Sequence, residues 1–279
     1  MGALGRVCEA LERVGVIAGY EWRRGIAKKS VLALVILAVA IQTLVIVSNY
    51  EFNRSSGIVP SGNAFMWIST VLEGGAQALF IPLIAIIVAG GSMSEEYEHG
   101  TADILLSKPI SRIEYMFGKF MGGYSLLALV EALITVVSVG LSIGFFGAQS
   151  DLQFAPLMFL AIAYSSLIFF CLSFMFSEVF RGTTLAILLA FAMYIASLVM
   201  TPILSFLYGN VSRVVPTWAA TGFPSFLLSR LITASNTVLP SADTEALYEA
   251  ALIIAVYTVV FVAIAALRLL KSDVTKKTD

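Results

Sequence analysis

Long apolar runs separated by short polar stretches dominate the chain. Six of them suit the roughly 20 residues that a helix needs to cross a bilayer: 31–48, 64–90, 120–146, 154–176, 183–208 and 250–270. They are apolar all round and show no two-residue alternation, so helices are expected rather than barrel strands. The pattern before the first run is different. Leu4, Val7, Leu11, Val14 and Ala18 recur at helical spacing within 4–27, with Arg6, Glu9, Glu12 and Arg13 on the other side. That predicts an amphipathic helix lying on the membrane surface. The stretch 209–249, with Pro216, Trp218, Pro224, Phe226 and Leu227, is too apolar for a solvated loop and too interrupted to span. Short re-entrant or interfacial helices are expected there. The expected fold is an all-α integral membrane protein, one domain over 1–279 with six transmembrane helices.

Composition agrees with the pattern. Apolar residues make up 59% of the chain and charged residues only 13%, which excludes a water-soluble enzyme. A net charge of −1 offers no basic field for nucleic acid. Cys8 and Cys171 suggest neither a disulfide framework nor a metal set. The first 30 residues mix acids with bases and lack a cleavable leader pattern. With both termini in the cytoplasm, fourteen of the 17 Lys and Arg fall on the inner side, and only Arg54, Arg213 and Arg230 outside. That asymmetry sets the expected orientation, in the cell membrane. Trp22, Trp67 and Trp218 stand near span ends or in the outer segment, as interfacial anchors do.

The inner loop 91–119 carries the densest signal. Ser92 followed by Glu95 has the spacing of a capping box and predicts a helix start, with Glu95, Glu96 and Glu98 near the positive end of its dipole. Gly100 is expected to break this piece, Thr101 to cap a second short helix, and Pro109 to stop it. Ile104 and Leu105 would leave an apolar edge on a charged loop, which suits a groove on a partner.

The run Glu96-x-Glu98-x-Gly100-Thr101-x-Asp103-Ile104-Leu105-Leu106-Ser107-x-Pro109-Ile110-Ser111-Arg112, followed by Gly118-Lys119-Phe120, resembles the signature of ABC-2 type transporter permeases. Ile17-Ala18-x-x-Glu21 is similar to the segment that leads into the first span of that family, and Phe223-Pro224 with Arg230-Leu231 to the one before its last span. The pattern most resembles the branch that includes the permease for copper-site maturation of nitrous oxide reductase. Ala102 stands where the family has leucine, and Gly19-Tyr20 where it has a basic pair. The resemblance implies an exporter subunit that pairs with a second permease copy, as homodimer or heterodimer, and docks two cytoplasmic ABC ATPase subunits. ATP and Mg would sit on those subunits, with no cofactor in this chain. The loop between spans two and three would be a coupling helix, with Glu96, Glu98, Gly100, Thr101, Asp103, Ile104, Leu105, Pro109 and Arg112 as its residues. Its acids would meet basic residues at the rim of the partner's groove. The chain has no Gly-x-x-x-x-Gly-Lys-Ser/Thr phosphate loop, so a partner must supply ATP hydrolysis.

Polar groups inside the spans offer a substrate path. Glu131 falls near the bilayer midplane in the third span and must face the bundle or a dimer seam. Glu73 and Gln77 share a face of span two, and Gln42 reads as a packing group. Gly140 and Gly144 permit close helix approach, most simply inside the bundle. Pro82 and Pro202 should kink their spans. His99 reads as a polar surface residue. Two other functions fit the pattern less well: an ion- or proton-coupled carrier using Glu131, and a permease-like scaffold that remodels another membrane protein. An intramembrane protease built on Glu95-Glu96 would need arginine where Gly100 stands and histidines beyond His99.

Overall fold

The computed structural model describes residues 3–57, 79–101, 110–234 and 244–271. Among these, all regular structure is helical. In chain order the α-helices are α1 (Ala3–Ala27), α2 (Lys29–Ser55), α3 (Ile81–Gly90), α4 (Ser94–Glu98), α5 (Arg112–Phe146), α6 (Ala155–Phe180), α7 (Thr183–Tyr208), α8 (Pro216–Ala234) and α9 (Thr244–Lys271). Short 3₁₀ turns at Leu152–Phe154 and Gly209–Val214 lead into α6 and α8.

Five helical stretches among the described residues are long and apolar enough to cross a membrane: α2, α5, α6 with its leading 3₁₀ turn, α7 and α9. The fifth expected span, 183–208, coincides with α7. α2, α5, α6 and α9 run longer than expected, and α5 begins at Arg112 rather than 120. Its start is set by a complete capping box. The Ser111 hydroxyl accepts from the Glu114 N–H at 3.1 Å, and the Glu114 carboxylate accepts from the Ser111 N–H at 3.0 Å. Of the expected second span, 64–90, only the end is described. Residues 79–80 are π-helical, and Pro82 sits in the first turn of α3. Pro202 lies inside α7.

α6 is the hub, more buried than α5 and far more than α2, α7 and α9. Leu44, Val136, Leu188 and Val259 point outward, each more than half exposed. Water would penalise such a surface, whereas lipid matches it. Within 209–249 the described residues form the 3₁₀ turn Gly209–Val214, the 19-residue helix α8, packed against α6 and α9, and the first residues of α9.

The N-terminal helix forms as expected, and Val14 and Ala18 of its expected apolar side lie against α5. α1 lies along α5, with Glu21 and Gly25 buried and Leu11 62% exposed. Trp22 donates its indole N–H to Ser125 Oγ at 2.6 Å, tying the two helices together. Gly118 and Gly122 of α5 make this approach possible, because Ile17, Ala18 and Glu21 occupy the space that a Cβ would take. A Cβ on Gly122 would stand 2.8 Å from both Cα and the carbonyl oxygen of Ala18, backbone atoms that no rotamer change can move. Gly122→Val is therefore expected to lever α1 off α5 and cost about 1–3 kcal/mol. Thermal unfolding of the purified protein reads this as a lower Tm. Gly19→Ala, where a Cβ meets nothing within 4 Å, leaves Tm unchanged or raised.

Candidate functional site

α3 ends at Gly90, and the chain turns through Gly91–Met93 into α4. Two groups of side chains hold this turn and helix, one on each side.

On the first side stands a buried cluster of charge. Glu96, 2% exposed, accepts from Lys119 Nζ of α5 at 2.6 Å and from Arg24 Nη1 of α1 at 2.8 Å, while its other oxygen takes the Thr101 hydroxyl. Lys119, fully buried, also pairs with Glu21 of α1. Arg24 reaches the carbonyls of Gly91 (2.5 Å) and Ser92 (3.2 Å), and Lys28 pairs with Glu95 at 2.5 Å. Tyr20 and Tyr115 place ring faces 5.4 and 5.7 Å from the Lys119 ammonium. Three carboxylates face three cations, so the cluster is neutral as a whole, which is what makes its burial tolerable. Burial pushes the Glu96 carboxyl up, but Lys119, Thr101 and Arg24 outweigh it and hold it below the usual carboxylate range. Burial likewise opposes charge on Arg24, yet Glu21, Glu95 and Glu96 raise it above its ordinary value. For Lys28 burial prevails over Glu95, and its ammonium is lowered.

The second side is built from hydroxyls. Ser177 Oγ of α6, fully buried, accepts the backbone N–H groups of Met93 (3.0 Å) and Ser94 (2.8 Å), which open α4. The Ser94 hydroxyl bonds Gly90 O at 2.5 Å and stands 3.0 Å from the Thr183 hydroxyl. Glu98 accepts from the Thr183 N–H (2.7 Å) and hydroxyl (2.9 Å) at the start of α7, where the helix dipole favours a carboxylate. Tyr97 donates its hydroxyl to Glu178 at 2.9 Å, under the Arg181 guanidinium 4.5 Å from its ring centre. Burial and the Glu178 charge both push the Tyr97 phenol up.

The expected cap at Ser92 and Glu95 does not form. α4 has no side-chain cap from its own segment, the Ser92 hydroxyl is without a partner, and Glu95 is drawn to Lys28. Ser177, 83 residues further on, does the capping. The acids expected at a partner's groove face this chain's own groups: Glu95 and Glu96 the cluster, Glu98 the start of α7. Gly100 has φ +69°, a left-handed conformation that ends the piece. His99 is exposed, its Nδ1 2.6 Å from Glu95 O. Arg112 donates to the carbonyls of Leu269 and Leu270 at 2.9 and 3.3 Å, binding the start of α5 to the end of α9. Asp103, Ile104, Leu105 and Pro109 lie outside the described residues, as do Glu73 and Gln77.

Sequence reasoning assigned no role to Lys119, Arg24, Lys28, Ser177, Glu178 or Thr183. The available signal was a lysine and a glutamate standing at the margins of apolar runs. Glu131 is 1% exposed on the buried face of α5, and α5 turns Ile113, Phe117, Leu129, Leu133 and Val136 outward, so the carboxylate faces the bundle. Gly140 and Gly144 meet no atom of the described residues within 4 Å.

The family model described as ABC-2 family transporter protein matches residues 16–274. Among curated proteins, the uncharacterized protein YhcI of Bacillus subtilis (strain 168) is 24% identical over 148 residues, 46% of this chain and 47% of its own length. The chain thus spans about half the length of that curated relative. Apolar helices with lipid-compatible surfaces, and a family match over nearly the whole chain, lead to one conclusion: the protein belongs to the ABC-2 family of transporter proteins, as a multi-pass membrane permease.

Proposed function

We propose that this permease is an exporter subunit driven by two cytoplasmic ABC ATPase subunits, and that α4 with the following residues 99–111 is where they act. The observation that carries the reading is the fastening of α4 to four helices at once: α1 and α5 through buried ion pairs, α6 and α7 through hydroxyls and Glu98. A push on such an element moves the helices around it. In this reading Glu96, Glu98, Thr101 and Arg112 bind the lever to the bundle, Gly100 gives the turn, and Asp103, Ile104, Leu105 and Pro109 meet the ATPase. ATP and Mg stay on the ATPase subunits.

The same reading makes the chain one permease domain of six spans, the second completed by residues 64–80, with both termini cytoplasmic in the cell membrane. A second permease copy completes the path, and the Gly140 and Gly144 face, which meets none of the described residues, suits close approach of another helix. The likeness to the copper-site maturation branch rests on the inner-loop residues and leaves the cargo open. A mechanotransmitter acting on another membrane protein would use the same lever.

A photo-crosslinking residue at His99, exposed at the end of α4, is expected to capture the ATPase encoded beside this chain. One at Phe206, 90% exposed near the far end of α7 and roughly 35 Å along that helix from Thr183, is expected to capture none. Equal capture at both positions, or none at His99, would count against docking at this loop.

A further inference from the structure

We propose that the groove between α6, α7, α9 and the 3₁₀ turn Gly209–Val214 seats a membrane phospholipid, and that its headgroup is phosphoethanolamine. The groove is made of two cavities that meet at Val214, of about 530 and 570 Å³, each within the roughly 300–1,000 Å³ of small-molecule sites. α9 joins them as well. Glu249, Ile253, Tyr257 and Phe261 follow one another at four-residue spacing on one face of that helix, the first two lining one cavity and the last two the other. Tyr257 donates to Val214 O at 3.0 Å and pins the turn where the cavities meet. Because α7 starts beside α4 and ends at Tyr208, the turn and the charged end of the groove lie at the membrane face opposite α4.

Polarity changes along the groove as it does along a lipid. The deep cavity is walled by Ile168, Leu172, Met193, Met200, Leu204 and Phe261. Its two side-chain hydroxyls are already engaged with backbone: Ser197 gives its hydrogen to Tyr194 O (2.8 Å), and Tyr257 to Val214 O. Met193 and Met200 are half exposed at its mouth, so an acyl chain can enter sideways from the bilayer without parting the helices. Methionine adapts its shape to such a guest. From Glu249 to Phe261 the stripe on α9 runs roughly 18 Å, close to the ~15 Å hydrocarbon depth of one leaflet.

The second cavity specifies the headgroup. Among the described residues its charged lining is Arg213, Glu245 and Glu249, one guanidinium against two carboxylates. Arg213 and Glu249 pair at 2.6 Å with side chains 30% and 38% exposed, so both stay within reach of a guest. Trp218 backs the guanidinium, its ring centre 6.0 Å away. Arginine suits a phosphate, and the excess carboxylate calls for a cation beside it. A headgroup with both a phosphate and a primary ammonium meets both demands, and its N–H groups donate to the carboxylates where a quaternary ammonium has none to give. A glycerol headgroup brings the phosphate alone, and its charge then faces two carboxylates of the same sign.

This inference uses the membrane setting and not the ATPase reading, and its test needs no ATP. The full chain, purified in detergent and exposed to equal amounts of phosphatidylethanolamine and phosphatidylglycerol with the same acyl chains, would be weighed intact by native mass spectrometry. The expected result is a single retained phosphatidylethanolamine per chain, at about tenfold the level of phosphatidylglycerol, the ratio that one charge-assisted contact supplies. Ala196→Phe, which fills the deep cavity from an exposed position on α7, should lose the bound lipid. Leu188→Phe, 57% exposed on α7 and outside the lining, should keep it. Glu245→Lys should remove the preference for phosphatidylethanolamine. No retained lipid, equal retention of the two, or a wild-type pattern in Ala196→Phe or Glu245→Lys would overturn the site. So would a dimer that carries no lipid and separates in Ala196→Phe, which would give the groove to a second copy. Should Ala196→Phe fail to fold, Glu245→Lys, exposed in the first turn of α9, decides alone.

Discussion

Replacing Lys119 with methionine should unfold the region around α4 more readily than any other single change. Methionine keeps the length of the lysine stem, so packing changes little. The charge is lost, however, and Glu21 and Glu96 then face each other across a site where they are 5% and 2% exposed. Removing one partner of a buried ion pair costs about 3–5 kcal/mol because the remaining charge is left desolvated. Arg24 lies 2.8 Å from Glu96 and 3.6 Å from Glu21, which places the expectation at the lower end of that range. Read as Tm, the loss is on the order of 10 °C. Adding Glu96→Gln to Lys119→Met restores neutrality and should recover much of it, since the amide can still accept from Thr101 and Arg24. A loss under about 1 kcal/mol in the single variant, or no recovery in the double, would show that the cluster is not the fastening it is taken to be.

Ser177→Ala is expected to separate docking from coupling. Ser177 Oγ accepts two backbone N–H groups at the start of α4, and alanine leaves both without an acceptor in a site that water does not reach. Each orphaned donor costs about 1–3 kcal/mol, so α4 should lose its register on α6. The ion cluster still holds α4 to α1 and α5, so an ATPase should still bind. Its rate should lose the response to the permease, with Ser177→Thr restoring it. Ser173→Ala is the control. That hydroxyl, one turn earlier on α6, only donates to Ile86 O at 2.7 Å and caps nothing. A Ser177→Ala complex as responsive as wild type would place transmission elsewhere.

Apolar run length was enough to locate α7, whose run starts after Arg181-Gly182 and stops at Gly209. It was not enough for the start of α5. Arg112, Glu114 and Lys119 read as loop because of their charge, yet each is matched from another helix: Glu114 by Arg13 at 2.9 Å, Lys119 by Glu21 and Glu96, Arg112 by the end of α9. Matched charge can continue a helix that an unmatched charge would end. Two capping patterns make the same point. Ser92 to Glu95 and Ser111 to Glu114 have one spacing, but only the second forms, because Lys28 and Ser177 compete for the first. Apolar spacing placed Val14 and Ala18 on one side of α1, but it did not show that two glycines on α5 would gather Ile17 and Glu21 into the same contact. Of the site, the loop and its residues stood out locally. Their partners did not, because Glu21 and Lys119 lie 98 residues apart and one sequence does not announce such a pairing.

The central claim is that the loop between α3 and α5 receives force from a separate ATPase. It is tested most directly by purifying this permease with the ATPase encoded beside it and comparing wild type with Ile104→Asp and Leu105→Asp combined. Stoichiometry and ATPase rate are read together, with correct membrane insertion of the variant verified. The account predicts a one-to-one complex in wild type, lost in the variant. Absence of a complex in wild type, or one that survives the two substitutions with its ATPase rate intact, would contradict it.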